Sequence, residues 1–537
     1  MNLASVGERI SGKLSSSIYD NPVVIREFRT RMRGWKAFTI MGGYVLLLAV
    51  VLLIAYYAMW EAYSYRSHGM GIGDNDLGLQ LVMVLTWTQT ILITLIVPSL
   101  TASTLTNEIE KKTMQMLALT RLSPGKIIVG KQLSGFVYSL VLLLCSAPLA
   151  GMCLMLGGIS PAEIGVTYAL LIAWAFLLNA IGVYSSSMSK RSANAILSSF
   201  GVSILYGMSS SSLGSMLVYR SFSHISHGDA NPFCLLNPGW GPIGALDCAK
   251  VCGVTVPVAL VAFVLHIAIG TLMLLVASTH VAYTRANRSL SIRLLMLGII
   301  IFATWVGVGQ PIMNFIKGDV LTAGVCYLLA GIVIAATFAT GEIKKKTEGS
   351  IFSYAFSLHR AFTSDLGGAI GFVLLWTAVS YGTFGLTTLW NARVQHAAFD
   401  QGFWSSYFKV GISILAIVTG MCAVGVLASA LVKLRKDASA LVILFTIFAF
   451  SVYGVMLLNY DNGWFGSSNV EWHLAMFWPL TPIYAAAGEW SADMPHLPWI
   501  NYAWLVCSLA YMGITAVALA LAQGASRKFG GVREDME

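Results

Sequence analysis

The sequence predicts an all-α, polytopic membrane protein with about twelve transmembrane helices in two parallel six-helix repeats. Three observations carry this. The 537 residues are 57% hydrophobic and 11% charged, against about 25% charged in an ordinary soluble domain. The apolar residues fall into blocks of the roughly 20 residues that a helix needs to cross the hydrocarbon core. A near-identical charged hexamer, E-I-x-K-K-T, follows the second block (Glu108–Thr113) and the eighth (Glu342–Thr347).

The blocks lie at 38–60, 80–105, 132–156, 163–186, 193–218, 255–281, 292–312, 320–340, 366–390, 408–432, 439–459 and 499–523. Ahead of them stands "DNPVVIREFRTRMRGWKAF", residues 20–38. Asp20 or Asn21 caps a helix, and Pro22 falls in its first turn, where proline is tolerated. Val24, Phe28, Met32 and Trp35 share one face; Arg26, Arg29, Arg33 and Lys36 share the other, with Arg31 interrupting the apolar side. Segregated faces predict an amphipathic helix lying in the membrane interface. The plainer alternative is a basic flank that only orients the chain. More than thirty residues with charges precede the first block, so no cleavable signal peptide is expected.

With both termini on the cytoplasmic side, 27 of the 33 Lys and Arg fall in inside segments. That is the positive-inside bias repeated loop after loop, and it supports an even number of spans. The net charge of +9 therefore reads as orientation and attraction to anionic lipid, with no nucleic acid as partner.

In the first hexamer loop, Glu108 and Glu110 precede Lys111 and Lys112, which favours the start of a helix by its dipole. Met114, Met116, Leu117 and Leu119 then supply apolar surface, and Ser123-Pro124-Gly125 is a turn. The segment reads as a short cytoplasmic helix, a turn and a re-entering span. An exposed tip of this kind invites a protein partner; the alternative is a solvated charge cluster that only sets topology. A second echo accompanies the hexamers: "NPGWGPIGA" (237–245) precedes the sixth block and "WPLTPIYAA" (478–486) the twelfth. Six blocks separate equivalent points, so the chain divides into a cytoplasmic segment 1–37, a first half 38–284 and a second half 285–537, related by an axis along the membrane normal.

"PSLTASTLTNEIEKKTMQMLALTRLSPGKIIVGK" (98–131) resembles the segment after the second span in permease subunits of ATP-binding-cassette transporters, type-two exporter class. The matching residues are Pro98, Glu108, Thr113, Leu117, Leu122, Ser123, Pro124, Gly130 and Lys131. Residues 21–38 are similar to the entry helix of such permeases. In the second half the resemblance rests on Glu342, Thr347 and the span count; "IFSYAFSLHRAF" (351–362) stands where the Leu-Ser-Pro turn is in the first. The resemblance implies a multi-pass protein of the cytoplasmic (inner) membrane, with both loops as coupling helices on two separate cytosolic ATPase subunits. Glu108, Glu110, Lys111, Lys112, Thr113, Leu117, Glu342, Lys345, Lys346 and Thr347 would make those contacts. ATP and magnesium would sit on the partner, and this chain would carry no cofactor or metal of its own. Membrane lipids are the other partner. A dimer, or additional periplasmic or membrane subunits, stays open. The resemblance also implies short re-entrant helices where the two proline-rich echoes lie.

Enzyme chemistry has no foothold in the sequence. The nearest approach to a P-loop, Gly125–Gln132, has Gln where Ser or Thr should hold magnesium and runs into a span. Gly71-Ile-Gly73-Asp74 spells an intramembrane aspartyl-protease pattern but lies in a polar loop without a partner aspartate inside a span. His266 is the ionisable residue deep in a block, and a lone histidine there reads as hydrogen-bonded packing. Cys234, Cys248 and Cys252 share one outside loop, where a disulfide or a weak metal pair is open. The Trp-rich segment 464–499 reads as an interfacial belt. A rival reading shares the topology: a non-transporting membrane scaffold or sensor whose loops recruit a cytosolic complex. The substrate is not legible, because fold resemblance does not set cargo.

Overall fold

The computed structural model describes residues 35–66, 77–113, 124–223, 233–281, 289–308, 366–396, 402–431 and 502–532, with Val320, Tyr327, Gly331 and Phe399. Among these residues the chain is mostly helical, and nine helices are long and apolar enough to cross a membrane. It is a multi-pass membrane protein. It divides into two compact units, Met1–Arg288 and Ser289–Glu537. The boundary expected after residue 284 falls in the undescribed stretch 282–288.

The first unit contains α1 (Trp35–Arg66), α2 (Leu77–Ala102), the short α3 (Thr106–Glu110), α4 (Pro124–Met155), α5 (Pro161–Met188) and α6 (Ser192–Ser223). Two 3-10 turns (Cys234–Leu236, Pro238–Trp240) and α7 (Gly241–Gly244) follow, then strands β1 (Cys248–Val251) and β2 (Val254–Pro257), and α8 (Val258–Val281). The strands pair antiparallel through a two-residue turn at Cys252 and Gly253, with φ of 50° and 84°. Two positive φ values in a two-residue loop match the twist of the flanking strands. The sequence reading expected no strand in this loop.

Helix α5 is the hub, packing on α2, α4, α6 and α8. Its start is a capping box: Ser160 Oγ accepts from Glu163 N–H (3.2 Å), and Glu163 Oε2 accepts from Ser160 N–H (2.7 Å), with Pro161 next. That arrangement satisfies two otherwise orphaned backbone donors. In its most apolar window 61% of residues are buried inside the protein, against 17% for α1. The rest of α1 shows leucines to the surroundings, with Leu53 71% exposed. Large open apolar faces of this kind suit lipid.

Helix α6 occupies the expected fifth span, yet it falls outside the nine apolar candidates. Serines lower its apolarity. Several of their hydroxyls donate back to carbonyls one turn earlier, as in Ser198 to Ala195 O (3.0 Å) and Ser210 to Gly207 O (3.1 Å), whereas Ser203 Oγ is buried without a partner among the described residues. Such bonds satisfy the hydroxyls within the helix.

The second unit contains α9 (Ser289–Val308), α10 (Leu366–Gln395), α11 (Phe403–Leu431) and α12 (Ala503–Val532). Each packs on the next. Its core joins Phe372, Trp376, Phe384, Ile414, Val418 and Leu519. A reciprocal lock joins α10 to α11. Tyr381 Oη donates to Tyr407 O (2.9 Å), Tyr407 Oη donates to Tyr381 O (2.7 Å), and the rings stack at 4.6 Å. Glycines make room: a Cβ at Gly385 would lie 2.5 Å from Tyr407 Oη, and one at Gly411 2.7 Å from Tyr381 Cε1.

Ten of the twelve expected spans coincide with described helices; those at 320–340 and 439–459 lie outside the described residues, apart from Val320, Tyr327 and Gly331.

Candidate functional site: a loop tip tied to three helix ends

Pro98 stands inside α2, four residues before the helix stops at Ala102. Proline withholds a backbone donor there. A turn through Ser103–Leu105 follows, and α3 begins at Thr106. Ser186, near the end of α5, caps that start: its Oγ accepts from Leu105 N–H (2.9 Å) and Thr106 N–H (3.2 Å). The end of α2 is also wedged. A methyl at Gly182 would collide with Thr101 Oγ1, and one at Gly135 would lie 2.5 Å from Thr101 Cγ2 and from Asn179 Oδ1. Small residues let α2, α4 and α5 approach closely here.

The hexamer ends a helix rather than starting one. Glu108 does sit in the first turn of α3, as its charge favours. Three residues on, the helix closes: Lys112 N–H donates to Ile109 O (3.1 Å) and Thr113 N–H to Glu108 O (2.9 Å). Lys112 holds φ at 57°. This paired-bond closure usually takes glycine at the left-handed position; here a lysine fills it. Met114–Leu119, expected to continue the helix, lie outside the described residues, so Leu117 does too.

Glu108 turns inward. Its Oε1 accepts from Lys131 Nζ at 2.8 Å, and Lys131 Nζ also donates to Thr104 O at 3.0 Å. The Lys131 side chain is fully buried and that of Glu108 is 18% exposed. Lys131 lies two turns inside α4, beside buried Ile127 and Ile128. A buried ion pair contributes little net stability, yet removing one partner costs about 3–5 kcal/mol because the other charge stays buried. In sequence Lys131 stands only as a motif match; its signal there is a cation on an otherwise apolar helical face, within loop reach of an acid.

Glu110 faces the other way and caps α6: its Oε1 accepts from Ser192 N–H (2.6 Å), while Ser192 Oγ donates to Asn107 Oδ1 (3.1 Å). Lys111, Lys112 and Thr113 are exposed, as are Lys190 and Arg191 in the α5–α6 loop. One short segment thus contacts α4 through Glu108, α5 through the caps at Ser186 and α6 through Glu110.

The near-match to a P-loop is helical from Pro124 onward, and its second lysine is the one bound to Glu108. Of the interfacial-helix residues, Trp35 stands in the first turn of α1, 83% exposed. Lys36 belongs to the same turn, and Arg26, Phe28, Arg29 and Arg33 lie outside the described residues. So do Glu342, Lys345, Lys346 and Thr347 of the second hexamer, and the second proline-rich echo.

The first echo is folded back into the bundle near the starts of α2 and α5, the end opposite the tip. Asn237 Oδ1 accepts from Gly239 N–H (2.9 Å), an Asx closure. Gly239 lies flat on Trp87: a Cβ would come 2.6 Å from its Cδ2. Trp240 meets the same ring edge-on at 5.3 Å. His266 is fully buried; Nε2 lies 3.1 Å from Leu236 O and Nδ1 faces Ala262 O. It thereby ties the 3-10 turn just before the echo to α8, the packing role expected of it. Cys234, Cys248 and Cys252 are free thiols. Burial, then the charge of Asp247, pushes Cys234 up to about 12, so it stays a protonated packing group. Among the described residues no three metal-ligating side chains converge.

Compared with protein-family models and with curated proteins, the chain finds no match.

Proposed function

We propose that this chain is the membrane permease subunit of an ATP-driven exporter in a cytoplasmic membrane. Separate cytosolic ATP-binding-cassette subunits, two of them, would hold ATP and magnesium. The two hexamer loops would receive their movement, and two parallel six-span halves would rearrange in response. The spans at 320–340 and 439–459 complete the twelve, and both termini face the cytosol with the basic loops.

The observation that supports this reading best is the attachment of the 105–113 tip. A coupling element must pass force to several spans at once. The tip is bonded to α4, α5 and α6 through three separate contacts. A push on Lys111 and Lys112 therefore has three bonded routes into the helices. A nucleotide on the partner can shift the permease only through differential affinity for its states, and a tip bonded to three helices conveys that difference.

The test uses the full chain in lipid discs with a candidate ATP-binding-cassette ATPase subunit from the same organism. Lys111→Glu with Lys112→Glu is expected to lower stimulation of ATP hydrolysis more than tenfold, with unchanged expression and unfolding midpoint. Unaltered stimulation in that variant, or no stimulation by the wild type, would remove the coupling role.

A further inference from the structure

Fixing the tip onto the α5–α6 loop has a consequence for surface charge. Glu110 binds Ser192 N–H and Asn107 binds Ser192 Oγ. Lys111 and Lys112 follow Glu110 directly, and Lys190 and Arg191 precede Ser192 directly. Four exposed cations from two loops, at 111–112 and 190–191, are thus held on one frame. Glu108, which would have offset them, is drawn inward onto Lys131. Glu110 remains, with its carboxylate engaged by a backbone N–H.

We propose that Lys111, Lys112, Lys190 and Arg191 form one composite docking surface for an acidic face of a soluble protein. This rests on the coupling reading and deepens it: the partner contact includes the α5–α6 loop, and the partner's complementary face is acidic. One observation favours protein over lipid. Lipid attraction needs only charge. A hydrogen-bonded frame that fixes four cations relative to one another suits a solid surface, where register matters.

The probe is a fluorescent decaglutamate peptide, titrated against the full chain in discs of phosphatidylcholine alone. Lys190→Ser with Arg191→Ser is expected to weaken binding about tenfold, and Lys111→Ser with Lys112→Ser by a similar factor. Glu110→Ala separates frame from charge. It makes the patch more positive but unties it, and it is expected to weaken binding. Asn107→Ala cuts the second tie without changing charge and keeps the test available if Glu110→Ala fails to fold.

Wild-type affinity in the 190/191 variant overturns the composite surface, and tighter binding by Glu110→Ala overturns the frame. If the wild type ignores the peptide but phosphatidylglycerol shields Lys190 from an amine reagent, the surface belongs to lipid and the proposal fails. A candidate ATP-binding-cassette ATPase that binds the wild type and the 190/191 variant alike also sinks it, while leaving the transport reading intact. Peptide binding without any ATPase binding sinks the transport reading and leaves the surface.

Discussion

Lys131 and Glu108 illustrate how one side chain can be read two ways. In sequence, Glu108 belongs to an exposed charged hexamer. In the fold, its carboxylate meets a fully buried ammonium at 2.8 Å. The pair should behave as a unit. Lys131→Met is expected to lower stability by about 3–5 kcal/mol, since it strands the carboxylate. Adding Glu108→Gln should recover more than half of that loss. Thermal unfolding of the two single variants and the double variant in detergent measures the coupling. Strictly additive single effects would show that the two groups do not interact. Lys112 makes the complementary point: its φ of 57° comes from the helix-closing bonds around it, which no residue preference for lysine would suggest.

At the scale of elements, glycine spacing proves more informative than it looks in sequence. Tyr381 and Gly385 on α10, and Tyr407 and Gly411 on α11, form two Y-x-x-x-G units whose rings lie over each other's glycines. Gly411→Ala should therefore overpack the lock and cost about 1–3 kcal/mol. Gly382→Ala, on the same helix as Tyr381 but with nothing within 4 Å of the added carbon, should be neutral or slightly stabilising. Unfolding midpoints compare the two. Equal effects would mean that helix propensity outweighs the ring contact. Helix α6 makes a related point: its serines cost apolarity, but Ser198 and Ser210 bond within their own helix, so the element forms where the pattern placed it.

For the whole molecule, topology is the claim with most riding on it. The hexamers at 108–113 and 342–347 must emerge on one side of the membrane if both are to meet cytosolic partners. In a background without native cysteines, Lys111→Cys and Lys345→Cys should both be labelled by a membrane-impermeant maleimide in inside-out vesicles, and neither in right-side-out cells. Labelling from opposite sides would break the parallel-repeat arrangement.

Composition and periodicity alone made the membrane class legible, along with the positions of ten described helices, nine of them long and apolar enough to cross a membrane. The reason is that lipid imposes length and apolarity on every spanning helix, and both are written locally along the chain. The proline-rich echo was legible as a special segment, because Asn-Pro-Gly restricts the backbone wherever it occurs. What the tip is bonded to was not legible. The Glu108–Lys131 pair, the Ser186 and Glu110 caps and the tyrosine lock each join residues at least 23 positions apart. Only packing decides which polar groups, once shut away from water, must find one another.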